Sequence, residues 1–447
     1  MFDHLFSHLL NIDVFFHSLS VYLDNFTVNN ALMLLMMIFM FIGAIDKIRG
    51  NKFGYGEKFD EGFLAMGPLA IAMIGVVAMA PVLRIVLQPF IAPVFELFGA
   101  SPAMFAASLL ANDMGGYPLA MELAEGDEAI GNFAGLILGS MMGATIVFSI
   151  PVALTIIKKE DQPYLACGVL VGMVSIPVGC FFGGLFMNLT STPIAFTSML
   201  INLVPVTIIA LLIVAGLWYK PAKMMSGFQK FGSAVTILIT AGTALAVFQY
   251  QTGIHFPLLN LMVVPNSEGI IPLEEGIKIV GLIAIMLIGA FPLVHFISTR
   301  YANSLSAAGK SIKLKKESSA GFVATIANNI PMFHMLENMD PRGKILNVAF
   351  AVGAAFLLGD HLGFTAGANA EMILPVVIAK LTAGIVALII GNFMAPVLLE
   401  RIEVHGKPIK IKGEAIKPHH KKGKHHRRKK DHKSNDKPGK KKGKKNK

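Results

Sequence analysis

The chain has 447 residues, is 54% hydrophobic with a mean hydropathy of +0.62, and carries only 15% charged residues. That balance excludes an ordinary soluble domain, which would carry far more charge. The continuously apolar runs exclude a membrane β-barrel, whose strands alternate. The net charge of +11 belongs to one end: residues 401–447 hold 20 of the 39 Lys and Arg and 4 of the 28 Asp and Glu, so the first 400 residues are slightly acidic.

Residues 1–28 lack Lys and Arg and so do not read as a signal peptide, whose first part is basic. Phe2, Phe6, Leu9, Leu10 and Phe16 share a helical face opposite Asp3, Ser7, Asn11 and Ser18, which predicts an interfacial helix lying on the membrane. Apolar runs of spanning length follow. Short-loop basic residues mark the cytoplasmic side; they are Lys47, Arg49, Lys52 and Lys58, then Lys158 and Lys159, then Lys220, Lys223 and Lys230, then Arg300 to Lys316, then Arg342 and Lys344. With the N-terminus outside, 29–48 runs in and 62–87 out, 130–157 in and 164–187 out, 199–218 in and 227–249 out. The last three runs are 277–298 in, 346–366 out and 370–398 in, which leaves the C-terminus cytoplasmic.

Two stretches do not fit as full spans. Residues 90–128 must begin and end outside, which predicts a re-entrant hairpin with its tip at Asn112-Asp113-Met114-Gly115-Gly116. Residues 299–345 begin and end with cytoplasmic basic residues, which predicts a hairpin opening inward with its tip at Asn328-Asn329-Ile330-Pro331. The alternative makes each hairpin a full span, giving eleven spans and a parallel repeat, and it puts Lys158 and Lys159 outside.

Three motifs recur at an offset of 214 to 220 residues: DEGFLAMG with EEGIKIVG, LANDMGG with IANNIPM, and ILGSMMG with LLGDHLG. Charge placement gives the copies opposite orientation. The expectation is an all-α polytopic integral membrane protein with an inverted-topology repeat, nine full spans and two re-entrant hairpins or broken helices, the pattern of a transporter with alternating access. Its parts are the interfacial segment 1–28, a first repeat 29–190, a linking helix 191–220, a second repeat 221–400 and a basic, disordered cytoplasmic tail 401–447. The tail would touch anionic lipid weakly, and no specific nucleic acid is expected on it.

Ionisable residues inside a bilayer are costly and each needs a reason. Asp113 lies between Asn112 and a glycine pair, and Asn328 and Asn329 hold the matching place before Pro331. Broken helices at such points expose backbone groups that hold ions or solutes; the alternative for the asparagines is hydrogen-bonded glue between helices. Asp360 and His361 lie inside the last apolar span but one, where the first copy has Ser140 and Met141. Asp360 reads as a cavity-facing acid, and His361 as a proton-linked group or a helix contact. Lys380 pairs with a carboxylate or snorkels. Glu371 lies near a span start, and Glu61 and Glu275 begin helices, where the dipole favours acids. The candidate substrate site is therefore Asn112, Asp113, Asn328, Asn329, Asp360 and His361. No catalytic, metal or cofactor motif is present: HExxH and GxSxG are both absent.

The segments EGFLAMG, LANDMGG, LGSMMGATIVFSIPVAL, IANNIPMF and MDPRGKILNVAFAVGAAFLLGDHLGF resemble the ethanolamine-utilisation membrane protein family EutH over roughly 30–400, with the first 28 residues and the basic tail as departures. The resemblance implies a bacterial cell-membrane permease, not an enzyme, that takes up ethanolamine. Ethanolamine is a primary amine and, like Lys, is protonated at pH 7. Asp113 or Asp360 would pair the ammonium, with the asparagines and hairpin carbonyls holding the rest. The alternatives are a transporter of another small amine or an ion-coupled solute, and a membrane anchor that recruits partners through its tail. Neither coupling nor a homo-oligomeric state is legible at this level.

Overall fold

The computed structural model describes residues 12–267, 269–300 and 314–405. Phe2, Phe6, Leu9 and Leu10 of the expected interfacial face lie outside the described residues; helix α1, Ile12–Asp24, carries Phe15, Phe16 and Leu19 exposed.

Every described regular element is helical. Among the described residues, eight helices are long and apolar enough to cross a membrane: Val28–Ile48 (α2), Tyr55–Glu96, Glu128–Ile156 (α7), Gln162–Met187 (α8), Phe196–Tyr219 (α9), Pro221–Thr252 (α10), Pro272–Arg300 (α11) and Ala370–Val404. This is an all-α polytopic membrane protein. Tyr55–Glu96 is two pieces, Tyr55–Leu64 (α3) and Met66–Glu96 (α4), and the last span is formed mainly by α16, Ile373–His405. Glu61 therefore does not begin a helix: α3 starts at Tyr55, and Glu61 pairs with Lys58 at 2.6 Å near its end. The tail begins later than 401, because α16 continues to His405 and Arg401 stacks 4.2 Å from the Trp218 ring. Residues 406–447 lie outside the described residues.

The segment expected as a continuous span over 346–366 is broken. Pro341–Ala354 (α14) and Asp360–Ala368 (α15) are separate helices. Between them Phe356 has φ of 59°, and the chain turns aside to serve another helix end: Phe356 N–H donates to Thr325 O at 3.1 Å and Leu358 N–H to Ile326 O at 3.0 Å. Those carbonyls close Lys316–Ala327 (α12) and would otherwise be orphaned in an apolar interior. Broken backbone in one element thus satisfies the terminus of another.

Both hairpins form. Ala103–Leu109 (α5) and Gly116–Leu123 (α6) pack on each other, and so do α12 and Asn329–Met335 (α13). The first tip closes through Met114 and Gly116 N–H groups donating to Ala111 O at 3.0 and 2.8 Å. It abuts Val76 of α4 and Gly139 of α7, both well inside their helices. In the second hairpin, Asn328 caps α13 by accepting from Ile330 N–H at 2.8 Å. Asp340 then caps α14. Burial alone would raise its carboxyl, but the Ser318 hydroxyl and the Gly343 and Lys315 N–H groups hold it below the usual carboxylate range. The sign follows: this cap stabilises the fold above the unfolded carboxylate value and is lost as pH falls through the lowered one.

Small residues let the helices approach closely, as membrane packing requires. Gly179 and Gly183 of α8 face Ala383 and Pro375 of α16, so the two run antiparallel; a Cβ on Gly179 would come 2.6 Å from Ala379 O. Gly62 of α3 faces Ile288 of α11, while Gly276 of α11 faces Val77 of α4, again antiparallel. In each pair one helix comes from the first half of the chain and one from the second.

One element has no sequence signature. Within α7, Phe133–Gly143 and Thr145–Ser149 are wound as π-helix, and all eleven residues of the first stretch are buried. π-helix is rare and occurs mostly as single turns within α-helices, which are frequent at functional sites.

Candidate functional site

Three breaks meet in the centre of the bundle. The Asn112–Met114 turn of the first hairpin touches α15, the helix that Asp360 opens. The second hairpin reaches the same place: Gly359 packs against Ala327 O, so closely that a side chain at 359 would collide with it. A cavity of about 470 Å³ ends here, lined by Asp360 and Asn328 at one side and by Lys58, Glu61, His295 and Ser298 towards the helix ends.

Of the six expected site residues, Asp360 and Asn328 line that cavity. Asp113 does not line it but is half-buried on the touching turn, within electrostatic reach of Asp360 and Lys380. Asn112 is fully buried, and neither its amide nitrogen nor its oxygen finds a partner among the described residues. Asn329 donates to Ser149 Oγ at 2.8 Å and joins the second hairpin to α7, which is the helix-glue reading for that residue; its Oδ1 is left unpartnered. His361 points away from Asp360, as neighbours about 100° apart on a helix must. It is buried against Phe356, with Nδ1 3.2 Å from Lys380 Nζ.

Lys380 is the residue that the sequence undervalued. It does not snorkel: it is 1% exposed, and its ammonium donates to Ser140 O at 2.6 Å. The available signal was a lone lysine well inside an apolar run, but its partners are 240 and 19 residues away. Arg84 was likewise not singled out; it bridges to Glu122 at 3.6 Å and Glu125 at 3.8 Å, tying α4 to the end of the first hairpin. Glu371 accepts from Ser191 N–H at 2.6 Å and pins a loop.

The tip geometry depends on Gly115. Its φ is +86°, and a Cβ there would run into Val76. Gly115→Ala combines a left-handed conformation that costs about 1–2 kcal/mol with overpacking worth about 1–3 kcal/mol. Thermal unfolding in detergent should show the loss, and wild-type stability would mean that the tip is not held as described.

Fold and site together define a polytopic helical membrane protein whose centre is built from paired hairpins and a broken helix, with acids and amides at the breaks. The family described as "Ethanolamine utilisation protein, EutH" matches residues 28–394, and the chain belongs to it. It is 52% identical over 375 residues to the "Probable ethanolamine permease EutH" of Listeria monocytogenes, covering 84% of this chain and 96% of that protein. It is 46% identical over 391 residues to the protein of the same name from Escherichia coli, covering 83% and 96%. An "Uncharacterized protein YxeR" of Bacillus subtilis is 43% identical over 370 residues, covering 83% of this chain and 96% of that protein. No solved structure matches the chain.

Proposed function

We propose that this protein is a cell-membrane permease that takes up protonated ethanolamine, as the names of its relatives suggest. The observation that carries the reading is the meeting of the Asp360 helix, the Asp113 turn and Asn328 at the end of a cavity. A small cation with a hydroxyl needs a carboxylate for its ammonium and amide or carbonyl groups for its oxygen. Asp113 or Asp360 takes the ammonium; Asn112, whose side chain has no partner among the described residues, and Asn328 take the hydroxyl. Asn329 positions the second tip from Ser149, and His361 acts through Lys380.

The two halves, 29–190 and 221–400, work as an inverted repeat joined by the linking helix within 191–220, and they rock about the central breaks to expose the site to each side in turn. The antiparallel pairing of α8 with α16 and of α3 and α4 with α11 supports that arrangement. Orientation follows the basic loops. Lys158 pairs with Glu337 at 2.5 Å and Lys344 pairs with Asp161, which gathers these charges at one end. That end faces the cytoplasm, with the N-terminus outside and the C-terminus inside. The cavity beside Lys58 and Ser298 opens to the same side. The tail-anchor alternative rests on 406–447, outside the described residues.

The test is uptake of labelled ethanolamine by purified protein in liposomes, with ion gradients imposed and other amines as competitors. Saturable uptake above protein-free vesicles is expected; uptake no faster than in those vesicles would overturn the reading.

A further inference from the structure

We propose that Lys380 is the third charge of the cation site, a built-in ammonium that offsets one of the two acids and makes the site select monocations over dications. The inference rests on the Asp113 and Asp360 reading given above. Lys380 comes from α16, is buried and points inward. Its Nζ donates to Ser140 O of α7 and lies beside His361 Nδ1 of α15. Ser140 stands in the first half where Asp360 stands in the second, so the lysine binds the backbone at one of the matching positions and the side chain of His361, next in sequence to the other. It is also within electrostatic reach of Asp113, on the remaining element that enters the centre.

The charge count sets the selectivity. Two carboxylates and one ammonium leave one net negative charge, which a protonated monoamine cancels. A dication leaves the site positive in a low-dielectric interior, where an unbalanced charge is strongly disfavoured. Without the lysine two negative charges remain, and the dication becomes the better match.

The experiment measures inhibition of labelled ethanolamine uptake in liposomes by unlabelled ethanolamine and by 1,3-diaminopropane, a dication at neutral pH. Wild-type protein should be inhibited far better by the monoamine. Lys380→Met should move the ratio of the two inhibition constants at least tenfold towards the diamine. Lys380→Arg keeps the charge and should keep the wild-type preference. Asp113→Asn combined with Lys380→Met restores one net negative charge and should bring the ratio back towards wild type. An unchanged ratio in Lys380→Met would overturn the proposal. So would loss of uptake in both Lys380→Met and the double variant, because that assigns the lysine to holding Ser140 and His361 in place. Failure of the wild-type protein to take up ethanolamine would sink the functional reading instead, so the two failures are distinguishable.

Discussion

Asp360→Asn lowers the apparent affinity for ethanolamine in liposome uptake by about tenfold to a hundredfold, and Asp113→Asn does the same. The amide keeps the size and one hydrogen bond of the carboxylate but removes its charge. Hydrogen bonds to a charged group contribute about 1.5–3 kcal/mol, and each 1.4 kcal/mol is about tenfold in affinity. Asp360 opens α15 at the cavity end, and Asp113 lies on the turn that touches that helix. The loss therefore shows most clearly at low substrate concentration and shrinks as the concentration rises. Normal low-concentration uptake in both variants, at matched amounts of folded protein, would remove the acids from the site.

Lys344→Met destabilises the protein by about 3–5 kcal/mol, the cost of leaving a buried charge without its partner. Asp161 is 3% exposed, and Lys344 is its ion-pair partner across the contact between the two halves. The lysine also lies 5.3 Å over the Tyr164 ring. Asp161→Asn together with Lys344→Met should recover most of the loss, because replacing both partners of a buried pair is often close to neutral. Thermal unfolding in detergent measures both variants. A Lys344→Met protein as stable as wild type would show that the Asp161 carboxylate finds water or another partner.

Much of this fold was legible because membrane insertion imposes simple rules. Apolar length located eight of the nine expected spans, and the polar and glycine-rich stretches between them located the two short helix pairs. Asn112 to Gly116 and Asn328 to Pro331 marked the tips because Gly, Asn and Pro have local conformational consequences. The break between α14 and α15 was not legible. Its residues, Ala355 to Leu358, are apolar and carry no turn residue before Gly359. They leave the helix because Thr325 and Ile326 offer carbonyls, and those lie on a hairpin distant in sequence. The π-helix of α7 is hidden for a related reason: i to i+5 pairing follows from what packs around the helix and not from its own composition.

The site divides in the same way. Asp113 and Asn328 were visible as polar residues at breaks, and Asp360 as an acid inside an apolar run. The binding of Asn329 to Ser149 and of Lys380 to Ser140 depends on contacts across 180 and 240 residues. Sequence periodicity cannot distinguish an amide turned towards a cavity from one turned towards a neighbouring hydroxyl. A lysine within an apolar run reads as a snorkelling residue until the carbonyl that accepts its proton is found.

A structure of the protein determined with ethanolamine bound tests the central claim most directly. The account predicts the ammonium within hydrogen-bonding distance of Asp113 or Asp360, and the hydroxyl against Asn112, Asn328 or a hairpin carbonyl. Ethanolamine seated elsewhere, such as between Glu61 and His295 with the central acids untouched, would contradict it.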